Sequence, residues 1–423
     1  MTAPGIGDTV ELDGLRAGNG GVMVGRHDGR VVFVRGALPD ERVVARITDD
    51  RRSSYLSATV EEILESSDHR VPDRCAAATA GAGCCDLSHA DDAGARAVKN
   101  QVIADLLGRI GGFDESVSST VEMRTLTPTS AYRTRVRMPA AADGAAGNHV
   151  RSGDGVVTGA RCAQPVPEIL DAVGGRAWTP GAEVVAVRGD DGVVHLAERA
   201  PDTRTPRHSR STRSRAQRSR ARQSRTSVTP VEGGGVVHRR VGGRQWSVPV
   251  TGFWQAHVDG AAGYSALVAE MAAAHAPDAR TAWDLYGGVG VFAGTLCDVL
   301  PSLEHVTVVE SDAEAVAAAR VTFADDHRVA AYRGPVAGAV RALPSPDVVV
   351  ADPPRSGLGA EIVDAIAAAR PSVIVHVGCD PAAAARDLGL FSRRGYVPAR
   401  IVAVDAFGLT HHVEVVAALV SVD

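Results

Sequence analysis

The chain has 423 residues, 45% of them hydrophobic, 22% charged and only 4% aromatic, with a formal net charge of −5. This length allows two or three domains with aliphatic cores, and the mild acidity excludes a chain that is basic throughout, so any nucleic-acid surface is local. No run of about 18 apolar residues offers a membrane span, the first residues lack a basic-then-apolar leader, and six irregularly spaced cysteines suit the thiols or metal ligands of a cytoplasmic protein better than a disulfide framework.

Residues 5–64 read as short strands separated by glycine-rich turns. Residues 31–34 (Val-Val-Phe-Val) and 41–47 are strand-like, and residues 18–25 supply several tight turns. A five-stranded barrel of the OB type fits this length. The glycine-rich start, the run Val32-Phe-Val-Arg-Gly-Ala-Leu-Pro-Asp-Glu41 and the strand after it resemble the TRAM domain, an RNA-binding module. On that resemblance residues 1–66 form a first domain and RNA is the expected partner.

Residues 67–245 read as a mixed α+β central domain. Cys75, Cys84 and Cys85 come first, then a helix with apolar periodicity over residues 93–110, then strand-like segments, Cys162 and Val184-Val-Ala-Val187. Between residues 201 and 230 the composition turns to Arg, Ser and Thr. Such a stretch has too little apolar surface to order itself, so it reads as a disordered insertion. Its arginines either contact phosphates without sequence preference or form a solvated loop.

From residue 246 to 423 the pattern alternates strand and helix. Strand candidates lie at 282–286, 306–310, 347–352 and 373–377, with Ala-rich helices at 313–320 and 360–369. Alternation of this kind predicts a mostly parallel sheet with helices on both faces, and a ligand beyond the carboxyl ends of its strands. The first of these strands runs into Asp284-Leu-Tyr-Gly-Gly-Val-Gly290, where glycines let backbone approach a ligand. Glu310 ends the second strand about 20 residues on, where an acid can accept both hydroxyls of a ribose. This pair of features fits either NAD or S-adenosylmethionine, so the chemistry downstream decides.

Asp352 opens a rigid Asp-Pro-Pro-Arg loop at the end of the next strand, beside the expected cofactor. Cys379 ends the strand after that, in Gly378-Cys-Asp-Pro381, as a candidate nucleophilic thiolate or a buried structural cysteine. Glu414 lies between Val413 and Val415, as a candidate base or a solvent-facing strand residue. His411 and His412 precede it, and Arg355 is placed either to anchor phosphate or to pair with a nearby acid. Cys297 reads as a small buried hydrophobe on a helix.

Three blocks, Asp352-Pro-Pro-Arg-Ser-Gly357, Gly378-Cys-Asp-Pro-Ala-Ala-Ala-Ala-Arg-Asp-Leu388 and Thr410-His-His-Val-Glu414, resemble the bacterial RNA uridine-C5 methyltransferases. The resemblance is strong over the last 180 or so residues, weak in the middle, and includes the TRAM-like start. It implies a Rossmann-like class I methyltransferase domain using S-adenosylmethionine. It also implies Cys379 as nucleophile, Glu414 as base, and cofactor contacts at Gln255, Tyr286, Glu310 and Asp352. Thiolate addition at uracil C6 makes C5 nucleophilic, and a base then removes the C5 proton. The family's Ser and Asn beside the nucleophile are Gly378 and Asp380 here, Val291 replaces a common Asn, and Tyr332-Arg-Gly-Pro-Val336 lacks a polar group for adenine, which predicts weaker or rearranged adenine binding.

Many relatives hold a [4Fe-4S] cluster with four cysteines. Cys75, Cys85 and Cys162 match the first, third and fourth of them, Ala82 stands in the second position, and Cys84 is adjacent to Cys85, an awkward arrangement for one cluster. A [4Fe-4S] cluster, a zinc site and a metal-free site all stay open. The expected substrate is ribosomal RNA, with transfer RNA as the alternative, and the expected state is a monomer. A cytosine-C5 methyltransferase and a non-catalytic RNA-binding factor are the rival functions.

Overall fold

The structure, a computed structural model, describes residues 4–200 and 227–422. The arginine- and serine-rich stretch lies outside the described residues up to 226. At its end the reading needs correction, because Val228–Glu232 is a strand paired to Val194–Arg199.

The N-terminal strands show why alternation folds as it does. Arg42–Asp49 buries Val43, Ala45 and Ile47 and turns Arg42, Val44, Arg46 and Thr48 away from the core. Six strands join in one sheet, one more than expected, in the order Thr9–Leu12, Arg42–Asp49, Tyr55–Glu65, Arg30–Arg35, Val22–His27, Arg16–Gly18. The additional member is the three-residue strand Arg16–Gly18, too short to leave a periodic signal. Its core is continuous with the helix Asp92–Leu106 and with one face of the large C-terminal sheet. That helix stops four residues before the expected end, and one wide turn of π-helix, Leu107–Gly111, completes it.

The C-terminal sheet has eight strands: Val329–Arg333, His305–Glu310, Thr281–Leu285, Val348–Ala351, Val373–Gly378, Glu414–Ser421, Tyr396–Asp405 and Glu122–Thr125. Only Glu414–Ser421 runs against the others. The sheet's outermost strand, Glu122–Thr125, pairs with a strand far along the chain, and Arg400 Nε, 278 positions from Glu122, donates to that carboxylate at 2.8 Å. Val348–Ala351 and Val373–Gly378 are buried along their whole length, which is why they read as unbroken apolar runs. One face packs against Asp92–Leu106, Ala360–Ala368 and Pro381–Ser392, the other against Gly260–His275 and Val291–Val299.

Helix starts follow local side-chain chemistry. Asp312 accepts from the amides of Glu314 and Ala315 at 2.9 Å, and Asp380 accepts from Ala383 N at 2.9 Å with Pro381 in the first turn. No helix among the described residues is long and apolar enough to cross a membrane.

Candidate functional site

The parallel strands deliver Leu285, Glu310, Ala351 and Gly378 to one edge of the sheet, and the reversed strand starts at that edge with Glu414. Three polar groups are thereby brought to neighbouring strand ends. Asp352 follows Ala351. Cys379 follows Gly378. The register Gly378↔Val415 brings the next pair outward, Cys379 and Glu414, to the same end of two adjacent strands.

After Leu285 the backbone turns sharply. Tyr286 (φ 59°) and Gly288 (φ 56°) take left-handed conformations, which cost the tyrosine and not the glycine. At Gly287 an added Cβ would lie 2.7 Å from the Asp284 carboxyl carbon, so this position admits no side chain. Asp284 was not singled out in the sequence. It is fully buried beneath the loop and accepts from Ala293 N at 2.9 Å, joining the loop to the helix that follows. Burial pushes its carboxyl up to about 7. Its Oδ1 has no partner among the described residues.

Gln255, Tyr286 and Asp352 line one pocket with Gly287, Gly288 and Phe253. Glu310 stands behind the same loop. One carboxylate oxygen accepts from Gly288 N at 3.2 Å and the other from Ser311 N at 2.6 Å and Asp312 N at 2.8 Å. Three of the four residues expected at a cofactor thus share one pocket, and Glu310 contacts the glycine loop behind it.

A second, larger cleft of about 650 Å³ holds Cys379 and Glu414. Cys379 is half-buried. Burial, with the charges of Glu414 and Asp352, pushes its thiol up to about 12, and Arg355 opposes this. Burial first, and the neighbouring acids second, favour the protonated thiol, so attack by Cys379 requires that its proton be removed. Glu414 is 7% exposed. Burial raises its pKa to about 7, again opposed by Arg355. Burial, then Glu414 and Asp284, raise Asp352 well above the usual carboxylate range. Tyr264, also missed in the sequence, is 1% exposed and its hydroxyl has no partner among the described residues. Burial and the charges of Glu414, Asp352 and Cys379 raise its pKa.

Five arginines line the same cleft: Arg35 from the N-terminal sheet, Arg133, Arg137 and Arg151 from the middle of the chain, and Arg355. A chain of net charge −5 thus concentrates cations at one place. Arg133 lies over the Phe407 ring at 5.8 Å, and the His411 and His412 rings are 4.1 Å apart on the same wall. Burial and the neighbouring cations lower the His412 pKa to about 4.

Cys75, Cys84, Cys85 and Cys162 also meet at the rim of this cleft. Their sulfurs all lie within 4.8 Å of one another, with Cys75–Cys84 at 4.0 Å and Cys85–Cys162 at 3.8 Å. Adjacency of Cys84 and Cys85 does not keep either sulfur out of the group. Cys297 lies apart, buried among apolar side chains, where burial pushes its thiol up to about 11.

Comparison with known proteins follows this geometry. The TRAM domain family matches residues 6–60. An uncharacterized RNA methyltransferase of Corynebacterium glutamicum is 37% identical over 98% of each chain, and one of Streptomyces avermitilis is 33% identical over 98% of each. Among solved structures, the Pyrococcus abyssi tRNA (uracil-54, C5)-methyltransferase in complex with S-adenosyl-L-homocysteine superposes with a TM-score of 0.70 at 21% identity, over 97% of this chain and all of that one.

Proposed function

From its membership of the RNA methyltransferases that begin with a TRAM domain, we propose that this chain transfers a methyl group from S-adenosylmethionine to C5 of a uridine in RNA. The observation that carries this reading is the meeting of Cys379 and Glu414 at adjacent strand ends in one cleft, with Asp352, which lines the glycine-loop pocket, on the neighbouring strand end.

The residues fit the cofactor. Gly287 and Gly288 leave room for close approach, Glu310 presents a carboxylate behind the loop, and Gln255 and Tyr286 line the pocket. Bound there, S-adenosylmethionine supplies an electrophilic methyl group.

The chain's own groups do the rest. Cys379, once deprotonated, forms a bond to uracil C6, and the electron pair of the C5–C6 double bond moves toward C5 and O4. C5 then takes the methyl group. Glu414 as carboxylate removes the proton left on C5, the double bond reforms, and the Cys379–C6 bond breaks to return the thiolate. A carboxyl raised to about 7 suits this work, since a base is most effective when its pKa lies near the working pH. Tyr264 excludes water from behind the site. The five arginines supply phosphate contacts.

The test is methyl transfer from labelled S-adenosylmethionine to total RNA, with the product nucleoside identified and mapped. 5-Methyluridine is expected in wild type and absent with Cys379→Ala. 5-Methylcytidine as the product would overturn the base assignment. Ribosomal RNA is the expected recipient, and separating ribosomal from transfer RNA before mapping decides between them.

A further inference from the structure

The dimensions of the four-cysteine pocket speak to what it holds. A single tetrahedral ion with metal–sulfur bonds of about 2.3 Å sets its thiolates about 3.8 Å apart. Thiolates on the four corners of a [4Fe-4S] cube stand roughly 6 Å apart. Here no pair of sulfurs exceeds 4.8 Å, with Cys85–Cys162 at 3.8 Å and Cys75–Cys84 at 4.0 Å. Room for a cube is also taken by protein. Ala82, fully buried, packs among the cysteines together with Ala77 and Leu409. The [4Fe-4S] cluster suggested by the resemblance therefore does not fit this pocket.

The donors around the sulfurs are those of thiolates and not of an apolar thiol cluster. Ala163 N points at Cys75 Sγ at 3.5 Å and Gln164 Nε2 at Cys85 Sγ at 3.3 Å, while the same Gln164 nitrogen also reaches the Cys84 carbonyl. Hydrogen bonds of this kind spread the excess negative charge of a four-thiolate site and orient its ligands.

The pocket is fastened to the segment that ends in Glu414. Directly after Cys85, Asp86 accepts from His411 N at 3.0 Å and pairs with the His411 ring. Leu87 N donates to Leu409 O at 2.9 Å, and Leu409 packs on the cysteines themselves. Residues 84–87 and 409–411 thus form one unit, three residues from the base.

We propose that Cys75, Cys84, Cys85 and Cys162 hold one zinc ion in a tetrahedral four-thiolate site, and that this ion fixes the segment 409–414 that positions Glu414. The positioning half of this statement rests on the functional reading above; the metal half does not.

Full-length protein purified without oxygen should carry about one zinc per chain, no acid-labile sulfide, and no brown chromophore. About four irons with four sulfides per chain, or folded protein with no stoichiometric metal, would overturn the proposal. Replacing the ion with Co²⁺ should give the visible bands of a tetrahedral thiolate complex, and octahedral cobalt spectra would count against it equally. Cys84→Ser, at the half-exposed ligand, should weaken zinc retention at least tenfold. Should that variant fail to fold, wild-type protein stripped with a chelator serves instead: hydrogen exchange should speed up at residues 407–414 and stay slow in Val373–Gly378. Unchanged exchange at 407–414 would remove the positioning claim even if zinc is found. Loss of metal with intact C5 methylation would do the same without touching the assignment of Cys379.

Discussion

The strand edge that carries Cys379 and Glu414 and the pocket that gathers four cysteines face the same cleft but are assembled by opposite means. At the edge, position follows from backbone ladders: the register between Val373–Gly378 and Glu414–Ser421 aligns the two groups, and the strands around them are buried on both faces. In the cysteine pocket the ligands arrive on a short turn and a loop separated by 77 residues, with no ladder between them beyond isolated bridges. The first arrangement is held by the core of the domain. The second is joined by a few hydrogen bonds, such as Ala77 N to Arg161 O at 3.2 Å, and the proposed ion would add the rest. Chemistry at the edge should therefore be lost by changing one side chain while the fold persists, and chemistry near the cysteines should be lost together with local order.

The largest expected effect is Cys379→Ala, which should lower methyl incorporation by about 10⁴ or more and leave the thermal midpoint nearly unchanged. A clear fall in that midpoint would mean that the thiol is part of the core after all. Glu414→Gln comes next. Turnover should drop by about 10²–10⁴, and a covalent RNA–protein adduct should accumulate on a denaturing gel, because addition can proceed and elimination cannot.

The same substitution tests the electrostatics. Glu414 is raised to about 7 by burial, so the folded state holds its proton more tightly than the unfolded chain does. Its contribution to stability is present below the ordinary carboxylate range and is lost as pH rises toward 7. Glu414→Gln should therefore stabilise the protein by on the order of 3 kcal/mol at pH 8 and by little at pH 4, as seen in paired melting curves. In wild type kcat/KM should rise with pH through about 7, and that step should vanish in the variant.

Chelation of the metal should lower the thermal midpoint by about 10 °C, with the new exchange concentrated at the cysteines and at 407–414; a uniform loss across the C-terminal sheet would erase the contrast between the two regions. Glu310→Gln should raise the KM for S-adenosylmethionine about tenfold with little change in kcat, since the amide keeps one of the two acceptor oxygens that now bond Gly288 N and the Ser311 and Asp312 amides. The smallest effect belongs to Arg151→Ala, expected to weaken RNA binding a few-fold for every sequence and to reduce the salt slope by about one. A change confined to one RNA sequence would recast Arg151 as a base reader.

Much of the candidate site was legible before any fold. Gly287 and Gly288 follow an apolar run, Glu310 ends the next one, and Asp352, Cys379 and Glu414 each sit where a strand meets a loop. Asp284 was part of the same quoted run yet gave no signal of its own, because one acid before glycines looks alike whether it is buried or solvated. Tyr264 was invisible for a related reason: it lies on an Ala-rich helix whose sequence says nothing of what the helix covers. Asp86 and His411 meet across 325 positions, a distance at which no local pattern operates.

By itself the amino-acid sequence determined which residues could do chemistry and which local element each would occupy, since periodicity, glycine conformation and capping act over a few neighbours. The tertiary structure alone decided ionisation and partnership. Burial, with Glu414 and Asp352 nearby, raises the Cys379 thiol, and Cys84 and Cys85 became members of one four-sulfur group because Cys75 and Cys162 meet them in space. Both outcomes depend on charges and volumes brought together from distant parts of the chain, and Coulomb interactions and packing are set by separation in space, not by separation in sequence.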